Sequence, residues 1–244
     1  MDRVFWLTIL LWTSFVLLPT AGAQPRSAPA GKIRKPQMAD TIRANIYADN
    51  SFELYINGEL VAVDSIRFIP HNVIAVDILP SYPMTIAVRA KDNADPETGM
   101  EYANTSIGDD GFILKFADGT VTDSTWKAKK VAWGPLNGDK KTPRTESIPE
   151  PPDWTSPDFD DSTWERATEY TEEQIDPKAP WFEYDFRSAR FIWTDELNLD
   201  NIVLFRHVVK IPPDGKTRPD FSGLNHVVPD SGPRPPGRSK RPRR

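Results

Sequence analysis

Short runs of alternating apolar and polar residues, each ended by a turn, constrain the fold of this chain more than any other feature. Residues 51–56 alternate cleanly, with Phe52, Leu54 and Ile56 on one face. The Asn-Gly pair at residues 57–58 is the strongest short hairpin signal, because both residues tolerate a positive φ. No stretch keeps a helical period of apolar residues over three turns. The pattern predicts an all-β fold of the sandwich or barrel type.

Further strands are predicted at intervals of roughly ten residues, which is typical of sandwiches. Residues 202–211 are apolar on both faces of their predicted strand, which indicates a central position in a sheet. The 24 prolines and 13 glycines favour turns over long helices. The chain has no cysteine, so no disulfide stabilises it, and its 8 tryptophans and 39% hydrophobic residues must supply one fairly large core.

The first 23 residues have the three parts of a secretory signal peptide. A short polar start is followed by an apolar run at residues 4–18, and Ala21-Gly22-Ala23 provides the small residues at which signal peptidase cleaves. The apolar run is shorter than the roughly 20 residues that span a bilayer. The sequence therefore predicts a signal peptide at 1–23, secretion to the extracellular space and no membrane span.

Charge is distributed unevenly along the chain. Residues 24–36, a predicted linker, and residues 213–244, a predicted tail, are basic and rich in proline, whereas the net charge of the whole chain is −5. Both ends lack apolar periodicity, so we expect them to be disordered. The tail either contacts a polyanion such as a sulfated glycan or is simply solvated. We expect no nucleic-acid partner.

The tetrapeptide Asp-Ser-Thr-Trp occurs twice, at residues 123–126 and 161–164. Four shared residues in two copies are too few to indicate a repeat protein. The Asp, Ser and Thr side chains can cap a local turn that directs the following tryptophan inwards. We therefore expect Trp126 and Trp164 to be buried in the same core.

Residues 48–58 (ADNSFELYING) resemble the hairpin of galactose-binding-like jelly-roll domains, which accompany bacterial glycosidases such as rhamnosidases. The resemblance covers roughly residues 37–212 and implies a single jelly-roll β-sandwich of the carbohydrate-binding type. Four further segments are similar to motifs of that family and follow in its order: residues 85–90 (TIAVRA), 111–114 (GFIL), 122–127 (TDSTWK) and 158–164 (DFDDSTW).

Residues 189–193 (ARFIW) and the pair Phe205-Arg206 resemble two strands that usually precede the hairpin in that family. Here they come last, which implies either a circularly shifted sandwich or a closing strand that pairs with the first strand. The resemblance also implies that Trp126 and Trp164 are core residues and not ligand contacts. Because the shared motifs are short and structural, they bear on the fold more than on the function.

No catalytic motif is present, and we expect a protein that is not an enzyme. Cysteine nucleophiles are excluded, and no G-x-S-x-G elbow occurs. The histidines His71, His207 and His226 lack zinc-ligand spacing, so each is expected to be satisfied in the fold or solvated. A pair of carboxylates placed as in a glycosidase stays open as the least favoured alternative, a glycan-active enzyme.

No cofactor is required by the sequence, but the acidic loops offer an alternative. Asp92, Asn93 and Asp95, or Asp109 and Asp110, carry the oxygen atoms that calcium prefers. The other interpretation is that these loop residues are only solvated.

Three tryptophans outside the core motifs are the candidate ligand-binding residues. Trp133, Trp154 and Trp181 lie in or beside proline-rich loops, where binding residues concentrate. Each either stacks on a sugar ring or packs beside prolines to anchor its loop, and both interpretations stay open. Asn104 begins an Asn-Thr-Ser glycosylation sequon, which predicts a glycoprotein with Asn104 on a surface loop.

Together these features predict a secreted, non-catalytic binding or adhesion module whose partners are glycans or matrix components. Carbohydrate is the favoured ligand, because exposed aromatic residues on loops suit stacking on sugars. The alternative is an acidic structural component of an extracellular matrix, associated with calcium or mineral.

Overall fold

A computed structural model describes residues 35–64, 73–177 and 184–221 of this protein. The described strands belong to one compact unit that begins at Pro36. The predicted signal peptide, residues 24–34 of the predicted linker and residues 222–244 of the predicted tail lie outside the described residues. Within the described ranges, no helix is long and apolar enough to cross a membrane.

Strands dominate the described part of the chain. Two 3₁₀ turns occur at Met38–Asp40 and Leu136–Gly138, and one short helix, α1, at Glu172–Ile175. The strands are β1 (Ile42–Asp49), β2 (Ser51–Ile56), β3 (Glu59–Val63), β4 (Val73–Ile78), β5 (Met84–Lys91), β6 (Gly111–Phe116), β7 (Lys127–Trp133), β8 (Glu146–Ser147), β9 (Glu165–Arg166), β10 (Thr168–Tyr170), β11 (Phe191–Trp193) and β12 (Ile202–Val209).

These strands form two antiparallel sheets, which confirms the predicted all-β sandwich. Sheet A has the order β10-β11-β6-β1-β4. Sheet B has the order β3-β2-β5-β12-β7-β8, and β9 also pairs with β7. The chain passes repeatedly from one sheet to the other, as it does in jelly rolls.

The strand β12 lies between β5 and β7, which confirms the central position predicted from its apolar sequence. Both edges of β1 are paired as well, with β4 and β6. Of the two alternatives for the late strands, the one in which the closing strand pairs with the first strand is therefore wrong. The two strands belong to different sheets, so no backbone ladder can join them.

The space between the sheets holds the main core. Phe52, Leu54 and Ile56 all point into it, as the alternation of β2 predicts. Aromatic rings fill its centre, and the rings of Phe112 and Phe205 stack with centroids 5.5 Å apart. The buried indole of Trp126 donates its N–H to the carbonyl oxygen of Val121 at 2.9 Å, which avoids an unsatisfied buried donor.

A second, smaller apolar layer covers the outer face of sheet B. There the loop that follows β7 lays Trp154 and Trp164 against Leu204 of β12. Because strand side chains alternate between faces, Val203 and Phe205 point into the sandwich while Leu204 points out of it. This layer explains how the long proline-rich loop is held.

Burial of the two repeated tryptophans is confirmed, at 0% exposure for Trp126 and 6% for Trp164. In both turns the backbone N–H of the tryptophan donates to the backbone carbonyl oxygen of the aspartate three residues earlier. The distance is 3.2 Å for Trp126 and 3.0 Å for Trp164. The expectation of one shared core is wrong. Trp126 enters the sandwich, whereas Trp164 belongs to the outer layer, because the two turns reach opposite faces of sheet B.

Candidate functional site

The three candidate tryptophans have different surroundings. Trp133, the last residue of β7, is half-buried and lines a cleft. Trp154 is only 7% exposed and packs edge-on against Tyr55, with ring centroids 5.8 Å apart. This packing matches the anchoring alternative and leaves little indole surface for a ligand. Trp181 lies outside the described residues.

The cleft beside Trp133 has a volume of about 230 Å³, and we call it the Trp133 cleft. Its other walls include Asp92 and Asp95 from the loop after β5, and Thr145 and Glu146 at the start of β8. The structure thus brings together an aromatic residue and two acidic residues that the sequence pointed to separately.

Strand pairing explains this meeting. Trp133 pairs with Glu146 across β7 and β8, so both residues lie at the same end of sheet B. Asp92 follows the last residue of β5 and donates its backbone N–H to the carbonyl oxygen of Asn201, just before β12, at 2.9 Å. The ends of three neighbouring strands therefore position the cleft walls, which makes them more rigid than a free loop.

Hydrogen bonds hold the acidic wall of the cleft. The carboxylate of Asp95 accepts the backbone N–H groups of Glu97 at 2.8 Å and Thr98 at 3.0 Å. Both bonds lower the pKa of Asp95 below its usual value, and the bond from Glu97 has the largest effect. The hydroxyl of Thr145 donates to the carbonyl oxygen of Pro96 at 2.7 Å and ties the loop to the opposite wall.

Four buried carboxyl groups lie behind this cleft, and we call Asp49, Asp92, Glu101 and Asp110 the acidic cluster. Their exposed fractions are 2%, 1%, 4% and 0%. Asp49 ends β1 and its register partner is Gly111, so the residue before Gly111, Asp110, lies close to it. Carboxyl groups from three parts of the chain thus share one end of the sandwich.

Burial raises the pKa of Asp92, Glu101 and Asp110, and it is the largest cause for each. Repulsion between neighbouring carboxylates raises these pKa values further. Glu101 and Asp49 raise the pKa of Asp92 in this way. The pKa of Asp110 is raised by its three partners in the cluster. Among the described residues, both carboxyl oxygens of Asp110 and Oδ2 of Asp92 have no hydrogen-bond partner. Unsatisfied buried polar atoms are rare in folded proteins.

Only part of the acidic cluster was found from the sequence. Asp92 and Asp110 were among the calcium candidates, and both are buried, whereas Asn93, Asp95 and Asp109 of the same candidate sets are exposed. Two members were missed, Asp49 and Glu101. Asp49 has the local pattern of the polar end of a strand. No local pattern reveals that its register partner, Gly111, directly follows a second buried carboxyl residue, Asp110.

Neither a ready metal centre nor a histidine site is present in the part of the chain that the structure describes. There, no three His, Cys, Asp or Glu side chains converge closely enough to hold a metal ion as they stand. His207 stacks on Trp126 inside the sandwich, with ring centroids 5.2 Å apart, and burial lowers its pKa. His71 and His226 lie outside the described residues.

The glycosylation candidate Asn104 is exposed in the loop between β5 and β6. Its side-chain oxygen accepts a hydrogen bond from the hydroxyl of Thr98, and its φ of 65° places it in the left-handed region that asparagine tolerates. The position suits a surface modification, and attachment of a glycan stays a prediction.

A larger groove of about 720 Å³ lies on sheet A, and none of the residues that line it was predicted from the sequence to be a site residue. Its walls include Tyr184, Arg187 and Arg190, of which Tyr184 is 39% exposed, together with Glu169 of β10 and Glu172 of α1. The mixed charges and the tyrosine suit polar ligands. Tyr184 directly follows residues that the structure does not describe, so the Trp133 cleft is the better defined candidate.

The described geometry therefore contains two candidate site elements at one end of the sandwich, the Trp133 cleft and the acidic cluster. Asp92 belongs to both, since it lines the cleft and contributes a buried carboxyl to the cluster. Comparison of the chain with protein-family models, with curated proteins and with solved structures found no match, and the resemblance to galactose-binding-like domains stays an expectation.

Proposed function

We propose that this protein is a secreted, non-catalytic binding module that takes a carbohydrate in the Trp133 cleft. The observation that carries the proposal is the half-buried indole of Trp133 in a cleft with polar walls. A volume of about 230 Å³ is smaller than the roughly 300–1,000 Å³ of pockets for drug-sized ligands. It suits one sugar residue, such as the end of a glycan chain.

The chemistry of the cleft matches the two surfaces of a sugar ring. An indole offers an apolar face to the C–H groups, while carboxylate and hydroxyl groups hydrogen-bond to the sugar hydroxyls. Asp95 and Glu146 supply carboxylates and Thr145 a hydroxyl. Because Asp95 and Thr145 are already held by hydrogen bonds, little side-chain entropy is lost when a ligand binds.

Changing Trp133 to alanine should weaken glycan binding at least about fivefold, since stacking on an aromatic ring contributes about 1 kcal/mol. The melting temperature should fall by no more than about 4 °C, because the side chain is only half-buried. A glycan array on the wild type would identify the ligand, and calorimetry on both proteins would measure the affinity.

Trp154→Ala is the matched control for this experiment. Its indole is buried against Tyr55 and Trp164, so its loss should lower the melting temperature strongly and spare the affinity of the folded fraction. If Trp133→Ala binds the glycan as tightly as the wild type, the ligand does not lie in the Trp133 cleft and this proposal fails.

Export is the second part of the proposal and rests on residues 1–23. Cleavage after Ala23 would leave Gln24 as the first residue of the secreted protein. Mass spectrometry of protein recovered from the medium should find that end. Recovery of extracellular protein that still begins at Met1 would contradict cleavage.

The alternative function is an acidic structural component of an extracellular matrix, associated with calcium or mineral. The acidic cluster favours it, because carboxylate oxygens are the ligands that calcium prefers. A protein that binds no glycan on the array but does bind calcium would support this alternative. Contact of the basic tail with a polyanion would fit either function and stays a prediction, since residues 222–244 lie outside the described residues.

A further inference from the structure

The dipeptide Asn-Gly occurs twice in the chain, at residues 57–58 and 137–138. A glycine that follows asparagine has a chemical consequence besides the turn that it favours, because it has no side chain to shield its backbone nitrogen. That nitrogen can attack the side-chain amide of the asparagine wherever the turn is able to rotate. Since both copies carry the same reacting groups, the tertiary structure decides which of them reacts.

Asn57 is held in place by the strands around it. Its side-chain amide donates to the carbonyl oxygen of Ser81 at 3.0 Å, and its side-chain oxygen accepts the backbone N–H of Thr85 at 2.7 Å. Its own backbone N–H donates to the carbonyl oxygen of Thr85 at 2.8 Å. The turn also joins two paired strands, β2 and β3. The Asn57 amide therefore cannot rotate towards Gly58 unless these hydrogen bonds break.

Asn137 has the opposite surroundings. It is exposed in the 3₁₀ turn between β7 and β8, and within residues 73–177 no hydrogen bond holds its side chain. A Cβ added at Gly138 would meet no atom within 4 Å, so the space around the dipeptide is open. The N–H of Gly138 donates to the carbonyl oxygen of Pro135 at 2.9 Å. This is one bond of a single exposed turn, which is the kind of structure that opens most readily.

We propose that Asn137 is a site of spontaneous deamidation and that the fold protects Asn57 from the same reaction. The backbone nitrogen of Gly138 attacks the side-chain carbonyl carbon of Asn137. A C–N bond forms, a succinimide ring closes, and ammonia leaves with the proton that this nitrogen loses. Water then opens the ring at either of its two carbonyl groups, which gives aspartate or isoaspartate. No oxidant, reductant or enzyme is needed.

The position of Asn137 connects this reaction to the Trp133 cleft. Trp133 ends β7 and pairs with Glu146 of β8, and the reactive turn lies in the connection between these two strands. The backbone N–H of Leu136 donates to the carbonyl oxygen of Arg144 at 2.8 Å and closes this connection. Either product adds one negative charge there, and isoaspartate also adds a methylene group to the main chain. Deamidation therefore changes the segment that joins two walls of the cleft.

Peptide mapping of the secreted protein, aged in mildly alkaline heavy-oxygen water, tests the proposal. Trypsin places the two copies in separate peptides, residues 131–140 and residues 44–67. Ring opening incorporates heavy oxygen, which distinguishes the reaction during ageing from conversion during digestion. Because two more hydrogen bonds must open at Asn57, Asn137 should convert at least about tenfold faster in the folded protein. In guanidinium chloride, where the fold is lost, the two rates should become similar.

Gly138→Ala provides a matched variant, since its methyl group enters open space and any strain of the positive φ falls on an exposed turn. Shielding of the backbone nitrogen should abolish most of the conversion at Asn137, and the melting temperature should stay that of the wild type. The proposal is overturned if Asn137 keeps its amide while Asn57 loses its own, or if both convert equally fast in the folded protein. Neither outcome depends on whether the protein binds a carbohydrate.

Discussion

Trp126→Ala should lower the free energy of unfolding by about 3–5 kcal/mol, the range for deleting a buried aromatic side chain. The indole is fully buried between the sheets, where it contacts Phe112 edge-on at 6.3 Å between centroids and stacks on His207. Whole domains are stable by only about 5–15 kcal/mol, and no disulfide supports this one. Equilibrium denaturation in urea measures the loss, and secretion should fall with it.

The matched change Trp164→Ala separates the two layers of the fold. Its indole packs on Phe159 and Trp154 outside sheet B, so its loss should first release the loop that follows β7. We expect faster proteolytic cleavage within residues 134–164 at temperatures where the sandwich is still folded. A Trp126→Ala variant that melts like the wild type and loses only ligand affinity would show that Trp126 faces a binding site.

Asp161→Ala should destabilise the protein by about 3 kcal/mol, because it leaves a buried guanidinium without its carboxylate. Nε of Arg206 donates to Oδ2 of Asp161 at 2.9 Å, and only 1% of the Arg206 side chain is exposed. Arg206 also donates to the backbone carbonyl oxygens of Trp154 and Phe159. This one side chain therefore links β12 to three points of the loop that covers sheet B.

Asp123→Ala is the control for this change, since Asp123 has the same place in the other copy of the tetrapeptide. Its carboxylate is half-buried, and among the described residues it accepts the N–H and hydroxyl of Thr125 within its own turn. We expect a loss of about 1 kcal/mol or less, the usual net value of one hydrogen-bonded turn. Thermal melts of both variants make the comparison, and equal losses would show that the ion pair with Arg206 does not hold the loop.

Local patterns predicted the elements of the fold well. The alternation in β2 correctly assigned Phe52, Leu54 and Ile56 to the core, because successive side chains of a strand point to opposite faces. The Asn-Gly pair correctly predicted the turn between β2 and β3, since Asn57 and Gly58 both have a positive φ. These features depend only on residues that are close in the sequence, so the local pattern is enough to predict them.

Features that depend on long-range pairing were missed or misassigned. The two copies of the tetrapeptide form the same kind of turn, yet Trp126 and Trp164 enter different layers. Which layer each one enters depends on the face of sheet B that its turn approaches. That choice follows from the path of the loop after β7, which four residues of sequence do not encode.

The sequence by itself determined the strands, the turns and the burial of both tryptophans, because these follow from backbone sterics, local turn chemistry and the alternation of side chains. Only the tertiary structure decided that Trp133 and Asp92 share a cleft and that Asp92 and Asp110 are buried with Asp49 and Glu101. Identical carboxyl groups at Asp95 and Asp109 stay in water. The difference arises from strand register, which brings distant residues together and sets the dielectric environment, and hence the pKa, of each carboxyl group.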